Sequence, residues 1–387
     1  MIYSYEQCQK ILDSLKKDRL IEQEPIGYTK LEKLPIRHFT LGNGDKSLLV
    51  TGAWHSNEII STTFVLELIN YIIKNNIYFD NITIHFIPIL NPEGYIINTS
   101  AIKSKLSSNP TENEITNLAY EYYKLYKIDN LDKNNGLKLH QQMFDDTDYN
   151  VIPSNYKILK ETTSEILNNH PKGSIIDWAS NGNGIDLNSN TINKQVQPFE
   201  YNRQCAYNNI RIDIPSPIGH PGDNNNPNFE QENEIKGLKE LLNKLDSSLI
   251  AYFNYHSIGG LIYQRPESDN NYFTAYNYLL SKYYQEYSNY KIIKNKEGKI
   301  TSVNDSLRIK HIGNLLIELS PMMGNPIGMY GDINNYNNTI NNNILSFIYT
   351  IANIDNIENI INTLNYNTDN LYEEIDKKYV KQRELTK

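Results

Sequence analysis

Residues 47–59, Ser47-Leu48-Leu49-Val50-Thr51-Gly52-Ala53-Trp54-His55-Ser56-Asn57-Glu58-Ile59, set a short apolar run against a small-residue break, and polar side chains follow before a new apolar pattern begins. A run of this kind bounded by glycine reads as a buried strand. Ile59 to Lys74 then reads as a helix whose apolar face includes Phe64, Leu66, Leu68 and Ile69. Ile82 to Leu90, ITIHFIPIL, reads as a second strand, ended by the turn Asn91-Pro92-Glu93-Gly94. Strand, helix and strand in this order predict a βαβ unit and a sheet with parallel pairs. His55 and Glu58 fall at the strand-to-helix junction, where sheets of this kind place their sites.

Outward from this unit, residues 1–20 read as a short amphipathic helix with Tyr5, Cys8, Ile11, Leu12 and Leu15 at helical spacing, followed by a loop containing Pro25 and Pro35. A polar stretch rich in Lys, Asn and Tyr, 104–175, reads as a helical insertion on the surface. Trp178 to Asn190 (WASNGNGIDLNSN) reads as a strand end and loop, and Glu230 to Leu245 as a helix. Leu249 to Tyr255 is a strand delivering His256 at its end, and Asn314 to Leu319 a strand delivering Glu318. From Asn338 the pattern predicts a long helix with a frayed end. The expected organisation is a lead-in at 1–45, a main unit at 46–335 and a helical tail at 336–387.

With 39% hydrophobic, 11% aromatic and 21% charged residues, the 387-residue chain is globular rather than disordered or fibrous. Its 37 basic against 45 acidic residues leave a net charge of −8, which speaks against a nucleic-acid partner. The two cysteines, Cys8 and Cys205, are too far apart in sequence to suggest a CxxC metal or redox site. No apolar stretch is long enough to span a membrane, and the first residues lack a secretory h-region, so a cytoplasmic location without membrane insertion is expected.

Five residues are candidates to carry chemistry. His55 and Glu58, three apart, can converge on one point if a helical turn begins between them, and imidazole and carboxylate are both zinc ligands; the plain alternative is a pair of helix-capping residues. His256 can complete a set of three donors that leaves a fourth position open for water, or can be a strand-end histidine bonded to a carbonyl. Glu318 interrupts Leu315-Leu316-Ile317-Glu318-Leu319, where a carboxylate is costly unless paired or functional; an exposed strand edge is the alternative. Asp186, in Gly184-Ile185-Asp186-Leu187-Asn188, is a short acid able to orient a ligating histidine through its second ring nitrogen. Gly182-Asn183-Gly184 reads as a turn rather than a phosphate loop, His85 as a core or edge residue, and Cys205 as a structural thiol; His220 and His311 belong to no motif.

The ordered set TGAWHSNEI, NPEG, NGIDLNSN, NYHSIGGLIY and LLIELS resembles the M14 zinc carboxypeptidase family, and most closely its bacterial branch that cuts γ-D-glutamyl-diamino acid bonds in peptidoglycan peptides. The likeness runs from Leu48 to Pro326 and leaves 104–175 unaccounted for. It implies an α/β fold: a single α/β/α domain with a mixed, mostly parallel eight-stranded sheet. It also implies one Zn²⁺ per chain, held by His55, Glu58 and His256, with Glu318 as the glutamate that activates water, Asp186 behind the first histidine and Asn188 on a substrate carboxylate. The substrate implied is a peptide or a cell-wall muropeptide. The sequence departs from the family where DLNRN has arginine, which binds that carboxylate: the position is Ser189, and a hydroxyl cannot make the bidentate charged clamp. Ala179 likewise stands where the bacterial branch has a basic residue. Either Arg203 or Arg211 supplies the positive charge from the downstream loop, or the substrate has no carboxylate there. The rival functions are a deacylase of small N-acyl amino acids, whose relatives share His-x-x-Glu and a later His, and a zinc-binding pseudoenzyme that recognises peptides without cutting.

Overall fold

The computed structural model describes residues 2–107, 111, 113–114, 117–118, 148–170, 175–176, 178–188, 190, 215–217, 231–266, 271–295, 313–320, 336–366 and 370–386. Ser189, Arg203, Arg211, Cys205, His220, His311 and most of the insertion expected at 104–175 lie outside the described residues.

The strands are β1 (Ile21–Glu22), β2 (Gly27–Tyr28), β3 (Pro35–Ile36), β4 (Phe39–Gly42), β5 (Lys46–Thr51), β6 (Ile82–Ile87), β7 (Leu249–Ser257), β8 (Leu261–Pro266), β9 (Lys291–Asn295) and β10 (Gly313–Leu319). The α-helices are α1 (Tyr5–Leu15), α2 (Ile59–Lys74), α3 (Pro92–Ser104), α4 (Lys157–Asn169), α5 (Asn233–Lys244), α6 (Asn271–Ser288), α7 (Tyr336–Ala352), α8 (Ile354–Ile361) and α9 (Leu371–Thr386). Eight strands form one sheet in the order β1-β4-β6-β5-β7-β10-β8-β9, while β2 and β3 pair separately. The centre, β6-β5-β7-β10, is parallel, as is β8 with β9; β1-β4, β4-β6 and β10-β8 are antiparallel. This is the mixed, largely parallel eight-stranded sheet expected from the sequence.

The apolar run of β5 is buried on both faces because the sheet is sandwiched. Leu48 and Val50 enter one core with Phe64, Leu68, Phe253 and Phe347, whereas Leu49 enters a second core with Trp54, Ile235, Leu238, Leu242 and Tyr252. The register shift between Ser47 and Leu48 against β7 sets Leu249 and Tyr252, of opposite parity, on the same side. Each such side chain contributes about 1.5–3 kcal/mol by leaving water. Because β5, β7 and β10 run parallel, their C-terminal ends open on one edge of the sheet, and His55, His256 and Glu318 lie at that edge.

Three segments differ from expectation. Asn91-Pro92-Glu93-Gly94 does not merely turn but starts α3: Asn91 caps the helix by accepting the Gly94 N–H at 3.0 Å, and Pro92 occupies the first turn, a starting signal present in the sequence. Residues 178–188 form turns with no strand, because the Asn181 side-chain oxygen accepts the N–H groups of Asn183 and Ile185, both at 3.0 Å, and so competes with a ladder. The end of the chain is not one helix with a frayed tail but α7, α8 and α9, with α9 held on α6 by Tyr379 and Arg383 bonding Glu286 and by Tyr278 bonding Asp376. α9 buries Leu371, Ile375 and Tyr379 at four-residue spacing, a short stripe masked in the sequence by the charged residues between them.

His85 sits on β6 opposite Thr40, its Nδ1 2.9 Å from Nε2 of His38, with the rings stacked. Burial pushes both imidazoles from the usual 6.5 down to about 4, and for His38 the neighbouring His85 and Lys244 add to it. The neutral pair therefore adds stability that is fully present above pH 6.5 and lost as pH falls through 4. Relative to the His38→Gln/His85→Gln variant, wild type is expected to lose about 5 kcal/mol between those limits, about half of it from each histidine. Urea unfolding of both proteins at half-unit pH steps checks this; a constant difference across the range refutes it.

Candidate metal centre

The centre begins where β5 leaves the sheet. Pairing with β6 runs on past Thr51, since the Gly52 N–H donates to Ile87 O at 3.1 Å and Leu90 N–H to Gly52 O at 3.1 Å. Gly52 is required by crowding: a Cβ there would stand 3.0 Å from the carbonyl oxygens of both Pro88 and Ser61. Ala53 then takes the left-handed region at φ 48°, held by its N–H donating to Ser61 Oγ at 2.9 Å. Buried Trp54 donates its indole N–H to Thr51 Oγ1 at 2.9 Å. This turn lets Glu58 occupy the N-cap position of α2, whose carbonyl accepts the Ser61 N–H at 3.0 Å. His55 Nδ1 lies 2.8 Å from Glu58 Oε1 as a result.

The 178–188 segment closes over this junction. The Ser56 N–H donates to Ala179 O at 3.1 Å, and the Ser56 hydroxyl is directed at the carbonyls of Trp178 and Ser180. Asn91 ties both sides together, its Nδ2 donating to Trp54 O at 3.2 Å and to Ser180 O at 3.0 Å. Asp186 is thereby set with Oδ1 3.2 Å from His55 Nε2, the same oxygen accepting the Asn188 N–H at 2.9 Å. Beneath, Glu232 Oε2 accepts from the side chains of Asn181 and Asn183, both at 2.8 Å.

β7 delivers the remaining histidine. His256 is 1% exposed, and its Nδ1 lies 2.9 Å from Glu58 Oε2, a close approach without hydrogen-bond geometry. Trp54 stacks against its ring and His55 meets it edge-on. Glu318 is the register partner of His256 on β10, so the two side chains leave neighbouring strands at the same level and toward the same face, with strand axes about 4.8 Å apart. Glu318 is half-buried.

Both Nδ1 atoms thus face the two oxygens of one carboxylate, and the donor atoms of His55, Glu58 and His256 all lie within 4.8 Å of one another. Among the described residues this is the one group of three or more His, Cys, Asp or Glu so arranged. The donors suit zinc, which binds imidazole nitrogen and carboxylate oxygen at about 2.0–2.2 Å. Glu58 Oε2 and His256 Nε2 are buried with no hydrogen-bond partner among the described residues. A buried carboxylate that gathers two imidazoles is costly unless a cation completes the set. Within the group itself, burial pushes the Glu58 carboxyl up, but His55 and His256 outweigh it and hold it at about 2. Burial lowers His55, and Glu58 and Asp186 more than reverse this, leaving it well above the usual imidazole range.

A profile of the zinc carboxypeptidases, the M14 peptidases, matches residues 11–310. The chain belongs to the zinc carboxypeptidase family. Its members are metallopeptidases of the hydrolase class, with zinc as cofactor, and the His-Glu-His group is where this chain can hold it. The matched range includes His55, Glu58, Asp186, Asn188 and His256 and stops short of Glu318, which rests on the strand register. The fold is similar to that of thrombin-activatable fibrinolysis inhibitor (TM-score 0.56, 13% identity, 94% of this chain and 75% of that one). It is similar also to the bovine form of that protein in complex with tick carboxypeptidase inhibitor (0.54, 13% identity, 93% and 98%) and to carboxypeptidase A from Helicoverpa armigera (0.54, 13% identity, 92% and 75%). No curated protein matches this zinc carboxypeptidase-family chain in sequence. No described helix is long and apolar enough to cross a membrane.

The structure brings together His55, Glu58, His256 and Asp186, with Glu318 beside His256 and Asn188 two residues beyond Asp186. Asn188 Oδ1 is buried without a hydrogen-bond partner among the described residues. Sequence reasoning missed Asn91 and Glu232, which hold the 178–188 segment in place. The Asn-Pro start of α3 was a signal for the first; a glutamate before a helix carried none for the second.

Proposed function

We propose that this chain is a zinc-dependent peptidase in which His55, Glu58 and His256 hold one zinc ion, Glu318 is the general base and Asp186 fixes the His55 ring. The observation that carries the reading is the convergence of two Nδ1 atoms on the two oxygens of Glu58, with Glu318 in register beside His256. Zinc, when bound, supplies a Lewis acid that polarises the scissile carbonyl and acidifies water. Asp186 accepts from His55 Nε2 and so keeps Nδ1 free to ligate. The Glu318 carboxylate takes a proton from the attacking water as the water oxygen bonds to the carbonyl carbon. It then passes that proton to the nitrogen as the C–N bond breaks, leaving a carboxylate and an amine. Asn188 donates its amide N–H to a substrate carboxylate, and Arg203 or Arg211 supplies the charge absent at Ser189.

The bond we propose is a γ-D-glutamyl amide in a peptidoglycan-derived peptide. Support comes from the HSNE form of the first motif, with Asn57 as in the bacterial branch. Zinc-loaded protein incubated with muropeptides, casein-derived peptides and N-acyl amino acids, with products read by mass spectrometry, tests the reading. The expected product is a zinc-dependent cut at the γ-D-glutamyl-diamino acid bond. Cleavage of ordinary C-terminal residues alone would correct the substrate, and deacylation alone would make the chain an amidohydrolase. No zinc-dependent product from any of the three would leave a pseudoenzyme.

A further inference from the structure

We infer that Tyr290 is a positioning residue whose buried hydroxyl, set by Asn343 of α7, fixes the backbone at the exits of β10 and β7 and so the placement of Glu318 and His256. Tyr290 lies in the two-residue link between α6 and β9 and is 5% exposed. Its Oη accepts the Ser320 N–H at 3.1 Å and an N–H of Asn343 Nδ2 at 2.9 Å. Ser320 follows Glu318 by two residues and is left-handed at φ 68°, a conformation a serine holds only when its surroundings impose it. Its carbonyl in turn accepts the Gly259 N–H at 2.9 Å, three residues after His256. One phenol therefore holds the β10 exit, and the β10 exit holds the β7 exit.

The source of the constraint is far away in sequence. Asn343 is fully buried on α7 and uses its whole amide: Nδ2 donates to Tyr290 Oη and to Thr339 O at 2.7 Å, while Oδ1 accepts from Tyr284 Oη at 2.8 Å. Tyr284 Oη is also 3.3 Å from the hydroxyl of Tyr255, the residue before His256. Burial pushes the Tyr290 hydroxyl up to about 12, so it stays a neutral phenol at working pH. A core needing only volume here would be filled by Phe and Leu; a satisfied polar network aimed at two strand exits specifies one geometry instead.

This inference rests on the proposed roles of Glu318 and His256, and the experiment separates the two. Tyr290→Phe, Asn343→Leu, their double variant and the control Tyr379→Phe are compared with wild type. The control removes a buried hydroxyl, bonded to Glu286 at 2.6 Å, from the same helical layer but away from the site. In the Tyr290→Phe protein we expect kcat on a muropeptide with a γ-D-glutamyl-diamino acid bond to fall about tenfold or more, because small misplacements of a catalytic group are costly. KM is expected to stay within about twofold and zinc at one equivalent. The double variant is expected to be no worse than either single one, as for residues of one unit. In metal-free protein, hydrogen exchange at the Ser320 and Gly259 amides is expected to accelerate in Tyr290→Phe and not in the control. Unchanged kcat and exchange in Tyr290→Phe, or an equal loss of turnover in Tyr379→Phe, overturns the inference. Retained turnover in Glu318→Gln would instead overturn the base assignment, and the exchange data would still decide the clamp.

Discussion

Glu318→Gln is expected to lower kcat for amide hydrolysis by about 10³-fold while one equivalent of zinc stays bound, within the range that a positioned general base contributes. The substitution keeps the shape and the hydrogen-bonding size of the side chain, so β10 retains its pairing with β7 and β8. What changes is that an amide cannot take the proton of the attacking water. The three metal donors, on the β5–α2 turn and at the end of β7, are untouched, which is why metal content separates this outcome from simple loss of the site. Glu318→Asp keeps the charge but withdraws it by one methylene, and a shift of that size is expected to cost about 10²-fold. Steady-state kinetics with metal analysis on the same preparations checks both. Turnover of Glu318→Gln near wild type would remove Glu318 from the proton path whatever the substrate.

The sheet's centre was readable because long apolar runs have one physical explanation. Residues 47–51, 82–87, 249–255 and 314–319 all form strands, and a strand's end states where its next side chain stands. This is how His55 and His256 were placed at strand ends and Glu318 on a strand, whereas Asp186 behind His55 came from the family resemblance alone. The parts that escaped lack such runs. Strands of two residues, as in β1, β2 and β3, have no period to read. The 178–188 segment is shaped by side-chain-to-backbone bonds from Asn181, which a propensity pattern does not encode. Tyr290 and Asn343 were hidden by background: among 30 tyrosines, one that accepts two buried N–H groups looks like any other. The site's chemistry was legible in rare residue types at element ends, whereas its support is built from the commonest polar residues in the chain.

His256→Ala is expected to weaken zinc binding by more than about 100-fold and to abolish turnover at stoichiometric metal, and His55→Ala to do the same. The scale follows from a comparison: loss of a partner behind a ligand costs about 10–100-fold, which is what Asp186→Ala should show, and loss of the ligand itself must exceed it. The two histidines differ in what their removal leaves behind. His256 is almost wholly buried and its ring is packed against Trp54 and His55, so alanine there opens a cavity and leaves the Glu58 carboxylate with one imidazole. Removing one partner of a buried charged group costs about 3–5 kcal/mol, so metal-free His256→Ala is also expected to unfold at lower urea. His55 is more exposed, which lowers the cavity cost of its removal, but its loss takes an imidazole partner from both Asp186 and Glu58, so its stability cost is expected to be comparable. Competition titration with a chromophoric chelator reads the affinities, and urea unfolding of the metal-free proteins reads the rest. Wild-type zinc affinity in both alanine variants would put the metal elsewhere. The expected order, with both histidines well beyond Asp186, would show that the carboxylate of Glu58 gathers its imidazoles for a cation and not for each other.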